Sequence, residues 1–260
     1  MTLFFNFACA AQPYDDPPYH VCSVVTDDFA GGSTFQENVK SILELLHSNA
    51  SVSKLESASI GNAPDRVYAL YMCLGFVSND TCQKCIAQAQ ASIMGVCSMS
   101  KEAIVWLEAC QLRYSNKNFS GRLDMSNYIL QVNKENITDP QMFKSVGNQT
   151  LTNLTMQVAD NDSFPNKMYA TGEVLHEDEK IYALVQCTTD LSGSDCDQCL
   201  RNATKEVLRE YFFAMGARLL SRNCYLRYEL YSFYDDATQA SKGGNKFWLI
   251  TTLVSISVLT

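Results

Sequence analysis

Val39, Ile42, Leu43, Leu45 and Leu46 recur at the spacing of one helix face. Thr34-x-x-Glu37 ahead of them is a capping box, so the pattern predicts an amphipathic helix of about 14 residues. Farther on, Asp139-Pro140 supplies an N-cap and a first-turn proline ahead of Met142, Phe143 and Val146. Another helix is expected from Asn79-Asp80 through Cys82 to Cys97, and its counterpart from Ser194 to Phe213. β-Branched and aromatic runs mark residues 67–73, 103–107, 111–114, 168–174 and 181–187 as strands. Helices and antiparallel strands mix within each half of the chain. The expected class is α+β, with helices on one face of a sheet.

The same elements come twice. Cys73, Cys82, Cys85 and Cys110 recur as Cys187, Cys196, Cys199 and Cys224, each 114 residues on. That shift also lays Tyr68-Ala69-Leu70 on Tyr182-Ala183-Leu184, Leu112-Arg113-Tyr114 on Leu226-Arg227-Tyr228, and Phe119 on Phe233. One domain of about 100 residues is therefore present in two copies, read as 15–122 and 128–236. Cys22 and Cys97 of the first copy fall on Asn136 and Tyr211 at this shift. Two cysteines missing together suggest that they pair with each other. Tyr211, Phe212 and Phe213 stand where Cys97 would be, and buried aromatics there offset part of the lost bridge.

Composition narrows the function. Of 260 residues, 47% are hydrophobic, enough for real cores, and the net charge of −8 excludes a nucleic-acid partner, which needs a basic face. Eleven cysteines set the compartment. Residues 1–10, MTLFFNFACA, read as a shortened secretory signal, and its removal takes Cys9 and leaves an even ten. Asn-x-Ser/Thr occurs eight times, at Asn49, Asn79, Asn118, Asn136, Asn148, Asn153, Asn161 and Asn202, where chance gives about 2.6. Such sites are glycosylated on exposed surfaces in the secretory lumen. The two C-x-x-C pairs are too far apart for a zinc ribbon and lack a thioredoxin context, so disulfides are the expectation. Spacing alone leaves hundreds of connectivities open. At the other end, small residues near Asp236-Ala237-Thr238, a polar spacer at 237–246 and an apolar tail at 247–260 resemble a GPI signal. The rival reading of the tail is a shortened transmembrane helix. Either places the folded part outside the plasma membrane, in the apoplast, with the membrane reached through the tail.

The doubled C-x8-C-x2-C motif, followed by CQLRYS and CYLRYE, resembles the plant cysteine-rich repeat family. That family holds ectodomains of cysteine-rich receptor-like kinases, plasmodesmata-located proteins, secreted repeat proteins and the antifungal lectin ginkbilobin. The resemblance implies two helices on a five-stranded antiparallel sheet in each copy. It also implies the pairs Cys73–Cys82, Cys85–Cys110, Cys22–Cys97, Cys187–Cys196 and Cys199–Cys224, with the third bridge missing from copy two.

Catalytic machinery is not evident in the residues. His20, His47 and His176 form no ligand pair, and Glu177-Asp178-Glu179 lacks the spacing of a calcium loop. Neither a metal, a cofactor nor a catalytic residue is expected. The resemblance offers one binding site. In ginkbilobin, mannose is held by an Asn just after the first cysteine, an Arg six before the last and a Glu five after it. Copy one has Ser23, Ile104 and Ser115 there; copy two has Arg218 and Glu229, with no Asn to match because the first cysteine is absent. The competing reading makes Arg218 and Glu229 a structural ion pair on adjacent strands. The expectation is a non-enzymatic extracellular recognition module in stress or defence signalling, with an unidentified extracellular ligand or receptor as partner. The alternative is a secreted mannose-binding antifungal lectin, with a glycan as ligand.

Overall fold

The computed structural model describes residues 17–23, 32–137, 139–159, 168–176, 179–210 and 214–234. The leader with Cys9, Asn161, Glu177-Asp178, the aromatic run 211–213, the spacer and the apolar tail lie outside the described residues.

In the first copy α1 (Thr34–Asn49) starts one residue earlier than the capping box implies: the Ser33 hydroxyl accepts from the Gln36 amide at 3.3 Å. Phe35, Val39, Ile42, Leu43 and Leu46 turn inward. Leu45, expected among them, is 42% exposed, because the apolar stripe is narrower than the leucine run. α2 (Asn79–Val96) is capped by Ser78. The strands are β1 (Tyr19–Cys22), β2 (Leu55–Ile60), β3 (Val67–Cys73), β4 (Glu102–Trp106) and β5 (Cys110–Ser115), in the sheet order β1-β4-β5-β3-β2. The second copy has α3 (Pro140–Ala159) and α4 (Gly193–Glu210). Its strands are β6 (Ile129–Val132), β7 (Tyr169–His176), β8 (Glu179–Cys187), β9 (Gly216–Leu220) and β10 (Cys224–Glu229), in the order β6-β9-β10-β8-β7. Neighbouring strands are antiparallel throughout. Two α+β repeats, each with two helices on a five-stranded sheet, are thus what the chain builds.

Disulfides stitch sheet to helix. Cys73 and Cys110, side by side on β3 and β5, bond to Cys82 and Cys85 on α2; Cys187 and Cys224 bond likewise to Cys196 and Cys199 on α4. Cys22 of β1 bonds to Cys97 at the end of α2. These are the pairs the resemblance implies.

The constant shift of 114 does not hold in the first strand. Cys22 faces Ala103, and the residue facing Ala217, the equivalent of Ala103, is Val132. The Ser23 amide donates to the Glu102 carbonyl, and the Asn133 amide to the Gly216 carbonyl, both at 2.8 Å. The offset here is 110, so Cys22 corresponds to Val132 and not to Asn136, which instead bridges to Ala214. The loops differ in length between copies and absorb the difference.

Strand periodicity puts alternate residues on the face away from the helices. In β5 and β10 those residues are Gln111, Arg113 and Ser115, and Tyr225, Arg227 and Glu229, all buried. They are buried because the two domains lay these faces on each other. Leu184, Leu220 and Tyr225 of the second domain join the core of the first. Gln186 spans the seam, donating to the Cys73 carbonyl and accepting from the Gly75 amide, both at 2.9 Å. A Cβ on Gly75 would lie 2.1 Å from the Tyr169 ring, so the close approach requires glycine. Trp106, 1% exposed, donates to the Ser221 carbonyl at 3.1 Å, and Gln111 to the Arg222 carbonyl at 3.1 Å.

Candidate functional site

The residues singled out for sugar binding meet at this seam. Arg218 stands on β9 opposite Gln131 and Arg227; Glu229 closes β10 opposite Gly216. With the corrected offset the position after the missing first cysteine is Asn133, beside Gly216 on the neighbouring strand. The second domain therefore carries the whole Asn, Arg and Glu set, Asn133, Arg218 and Glu229, where the sequence showed two of three. The missed residue was hidden by a four-residue difference in the stretch between the first strand and the cysteine-framed elements, and the strand itself has no cysteine to anchor an alignment.

Arg218 and Glu229 are covered, and Asn133 is half-buried. Arg218 is 3% exposed and Glu229 0%. The Arg218 guanidinium donates to Glu108 of the first domain, to Gln131 at 2.9 Å and to the Tyr19 hydroxyl at 3.3 Å. Glu229 accepts from Arg227 Nε at 2.8 Å. Arg227 also gives Glu108 a 2.9 Å hydrogen bond and one of 3.0 Å to Tyr231. Burial alone would lower the Arg227 pKa, but Tyr225, Glu229 and Glu108 outweigh it and hold the guanidinium charged. The space left between Met72, Trp106, Glu108, Leu220 and Tyr225 is about 10 Å³, room for one water at most and none for a sugar ring.

A second arginine occupies the equivalent place in the first domain. Arg113 stacks on Phe119 at 3.7 Å, as Arg227 stacks on Phe233 at 4.4 Å. The hydroxyls of Tyr114 and Tyr228 reach the carbonyls of Ser100 (2.9 Å) and Ala214 (3.2 Å), also 114 apart. The repeated Leu-Arg-Tyr and Phe signature is thus a packing device, read identically in both domains. Burial and the nearby Arg222 charge bring the Arg113 pKa down to about 10. Glu108 and Arg222 sit at matched points of the two hairpin turns and carry opposite charge. Each reaches onto the other domain's sheet, Glu108 to Arg218 and Arg227, Arg222 to Glu102, with Asp124 3.4 Å away.

The sequons divide by surroundings. Asn79, Asn118, Asn136, Asn148 and Asn153 are exposed, Asn202 is half-buried, and Asn49 is half-buried with its amide on Glu56 at 3.0 Å. His20 and His47 lie apart on β1 and α1, and no cluster of three or more metal-ligating side chains occurs among the described residues. No described helix is long and apolar enough to cross a membrane.

Two α+β repeats, stapled sheet to helix and packed sheet to sheet, define a class of tandem disulfide-bonded α+β protein. The salt stress response/antifungal family model matches residues 21–117 and 131–231, and the chain belongs to that family. It is 34% identical over 234 residues to an antimicrobial ginkbilobin-2-like protein of Castanea crenata, covering 90% of this chain and 95% of that one. It is 32% identical to cysteine-rich repeat secretory protein 38 of Arabidopsis thaliana, over 84% and 86% of the two chains. Cysteine-rich receptor-like protein kinase 25 of Arabidopsis thaliana matches at 33% identity, but the chain spans only 36% of its length. Among solved structures, the tandem DUF26 ectodomain of the Arabidopsis thaliana receptor-like protein PDLP8 superposes with a TM-score of 0.72, at 24% identity, over 81% of this chain and 96% of that one.

Proposed function

We propose that this chain is a non-enzymatic recognition module on the outside of a plant cell, acting in stress or defence signalling. The observation that carries the reading is the use made of its reactive and charged groups. The ten described cysteines are all in disulfides, and Glu108, Arg218, Arg222 and Arg227 are committed to holding the two repeats together. Recognition is left to the helices and loops of the exterior. The five bridges fit an oxidising compartment, and the family and its secreted relatives support the same setting. A GPI or transmembrane attachment through the tail would fix the module to the extracellular face of the membrane.

Secretion of the tagged chain from plant cells, followed by glycopeptide mapping, tests this. Glycans are expected on the exposed Asn79, Asn118, Asn136, Asn148 and Asn153, and the half-buried Asn49 is expected to be the least occupied. A chain retained in the cytosol with bare sequons contradicts the proposal. The lectin reading gains from Asn133, which completes the sugar-binding set, and loses from its place: mannose reaches Arg218 and Glu229 only if the domains part.

A further inference from the structure

An open groove lies away from the seam, between α3 and α4 of the second domain, with a volume of about 700 Å³. That is within the about 300–1,000 Å³ of small-ligand sites. Its composition runs against the rest of the molecule. One wall is a basic stripe on α4, Arg201, Lys205 and Arg209, at i, i+4 and i+8, so the charges stand about 6 Å apart along one helix face. The facing wall on α3 repeats the spacing with Lys144, Asn148 and Thr152. No carboxylate lines the groove, on a chain of net charge −8. Arg201 pairs with Asp197 through Nε at 2.6 Å and Arg209 with Glu206 at 3.3 Å. A guanidinium has five donors, so the Nε bond of Arg201 to Asp197 does not exhaust it.

A second observation points to a ligand. Thr204, 5% exposed, lines the floor between the two stripes, and its buried hydroxyl has no hydrogen-bond partner. Buried hydroxyls are ordinarily satisfied. The first domain offers no equivalent: the α2 positions matching the stripe are Ala87, Ala91 and Gly95.

We propose that this groove binds a short uronic-acid oligosaccharide. Successive carboxylates would lie along Arg201, Lys205 and Arg209, and sugar hydroxyls would meet Thr204, Asn148 and Thr152. Regularly spaced cations select a linear polyanion, and the hydroxyl and amide lining selects a polyol over an acidic peptide. The inference deepens the recognition reading and rests on it for the ligand's availability. Asn148 is also a sequon, so a glycan attached there would stand at the groove wall and compete for it.

Calorimetric titration of the purified full chain, and of its Thr150→Ala variant, which removes the sequon and keeps the Asn148 amide, with trigalacturonate tests the groove. The methyl-esterified trimer and inorganic pyrophosphate serve as comparisons. Binding of the acidic trimer is expected in the variant, whether or not glycosylated protein binds, and should weaken as salt is raised. The triple variant Arg201→Gln, Lys205→Gln, Arg209→Gln should bind roughly tenfold or more weakly. Its melting temperature should be unchanged, because these side chains are exposed. Absence of binding in both proteins overturns the proposal. So does equal binding of the neutral ester, equal competition by pyrophosphate, or full affinity in the triple variant. Because binding is read on purified protein, such a failure leaves the extracellular reading to be judged by glycopeptide mapping.

Discussion

The two domains share their bridges, strand order and Leu-Arg-Tyr anchor, yet they solve the first strand differently. In the first domain β1 is tied to α2 by Cys22–Cys97. In the second, β6 has Val132 at that place and hangs on its backbone pairing with β9. What the second domain lacks in covalent anchoring it recovers from the neighbour: Gln131 of β6 accepts from the Tyr19 hydroxyl at 2.8 Å and from Arg218. The covalent bond in one domain thus helps to hold an uncrosslinked strand in the other. The comparison also shows how a duplicated fold diverges. Positions that meet the helices stay apolar in both copies, while the matched turn residues Glu108 and Arg222 have taken opposite charge and serve the joint.

The sharpest way to break the comparison is to remove the difference. Cys22→Ala with Cys97→Ala opens a loop of 75 residues, and chain entropy assigns the bridge about 4.5 kcal/mol. Guanidinium unfolding should show a loss of that order, and hydrogen exchange should speed up in both β1 and β6. Faster exchange in β1 alone would show that the strands are independent. Trp106→Ala comes next. It deletes a fully buried indole and its bond to Ser221, at a cost of about 4 kcal/mol. Denaturant melts of the full chain measure it, and a loss below about 1 kcal/mol would mean that the sheet faces do not pack as described.

Smaller effects separate the two turns. Arg222, buried against partly exposed carboxylates, should cost about 2 kcal/mol as Arg222→Gln. Glu108 has a side chain 57% exposed, so solvent screening limits Glu108→Gln to about 1 kcal/mol. The reverse ranking would mean that Glu108 is the main tie. The least effect is expected from mannose: titration of the isotope-labelled full chain should leave the Asn133 side-chain amide unshifted. A saturable shift there, lost in Arg218→Ala, would open the seam to sugar.

Much of this fold was legible because cysteines fixed the frame. Where they did, in β3, β5, β8, α2 and α4, spacing located the element to within a few residues. β2, reading LESASI, alternates in burial but lacks the aromatic and branched residues that announced β3, β4, β5, β7 and β8, and β9 and β10 were likewise not marked as strands. β1 and β6 are four residues each, too short for any periodicity. The sugar-binding set was misjudged for a related reason. Its Asn lies in the stretch where the offset changes, and strand register, a property of long-range pairing, reveals the shift. Nor could local sequence disclose that Arg218 and Glu229 are covered. Alternating polar residues on a strand read as solvent-facing, and these face a second domain. The groove on α3 and α4 was within reach of helical periodicity, since Arg201, Lys205 and Arg209 sit four apart. What pattern alone did not show was the opposing wall.

The central claim is that the two repeats spend their second sheet faces on each other and behave as one body. Scanning calorimetry of the full disulfide-bonded chain tests it most directly. One transition is predicted, with calorimetric and van't Hoff enthalpies equal. Two resolved transitions, each carrying about half the enthalpy, would contradict it.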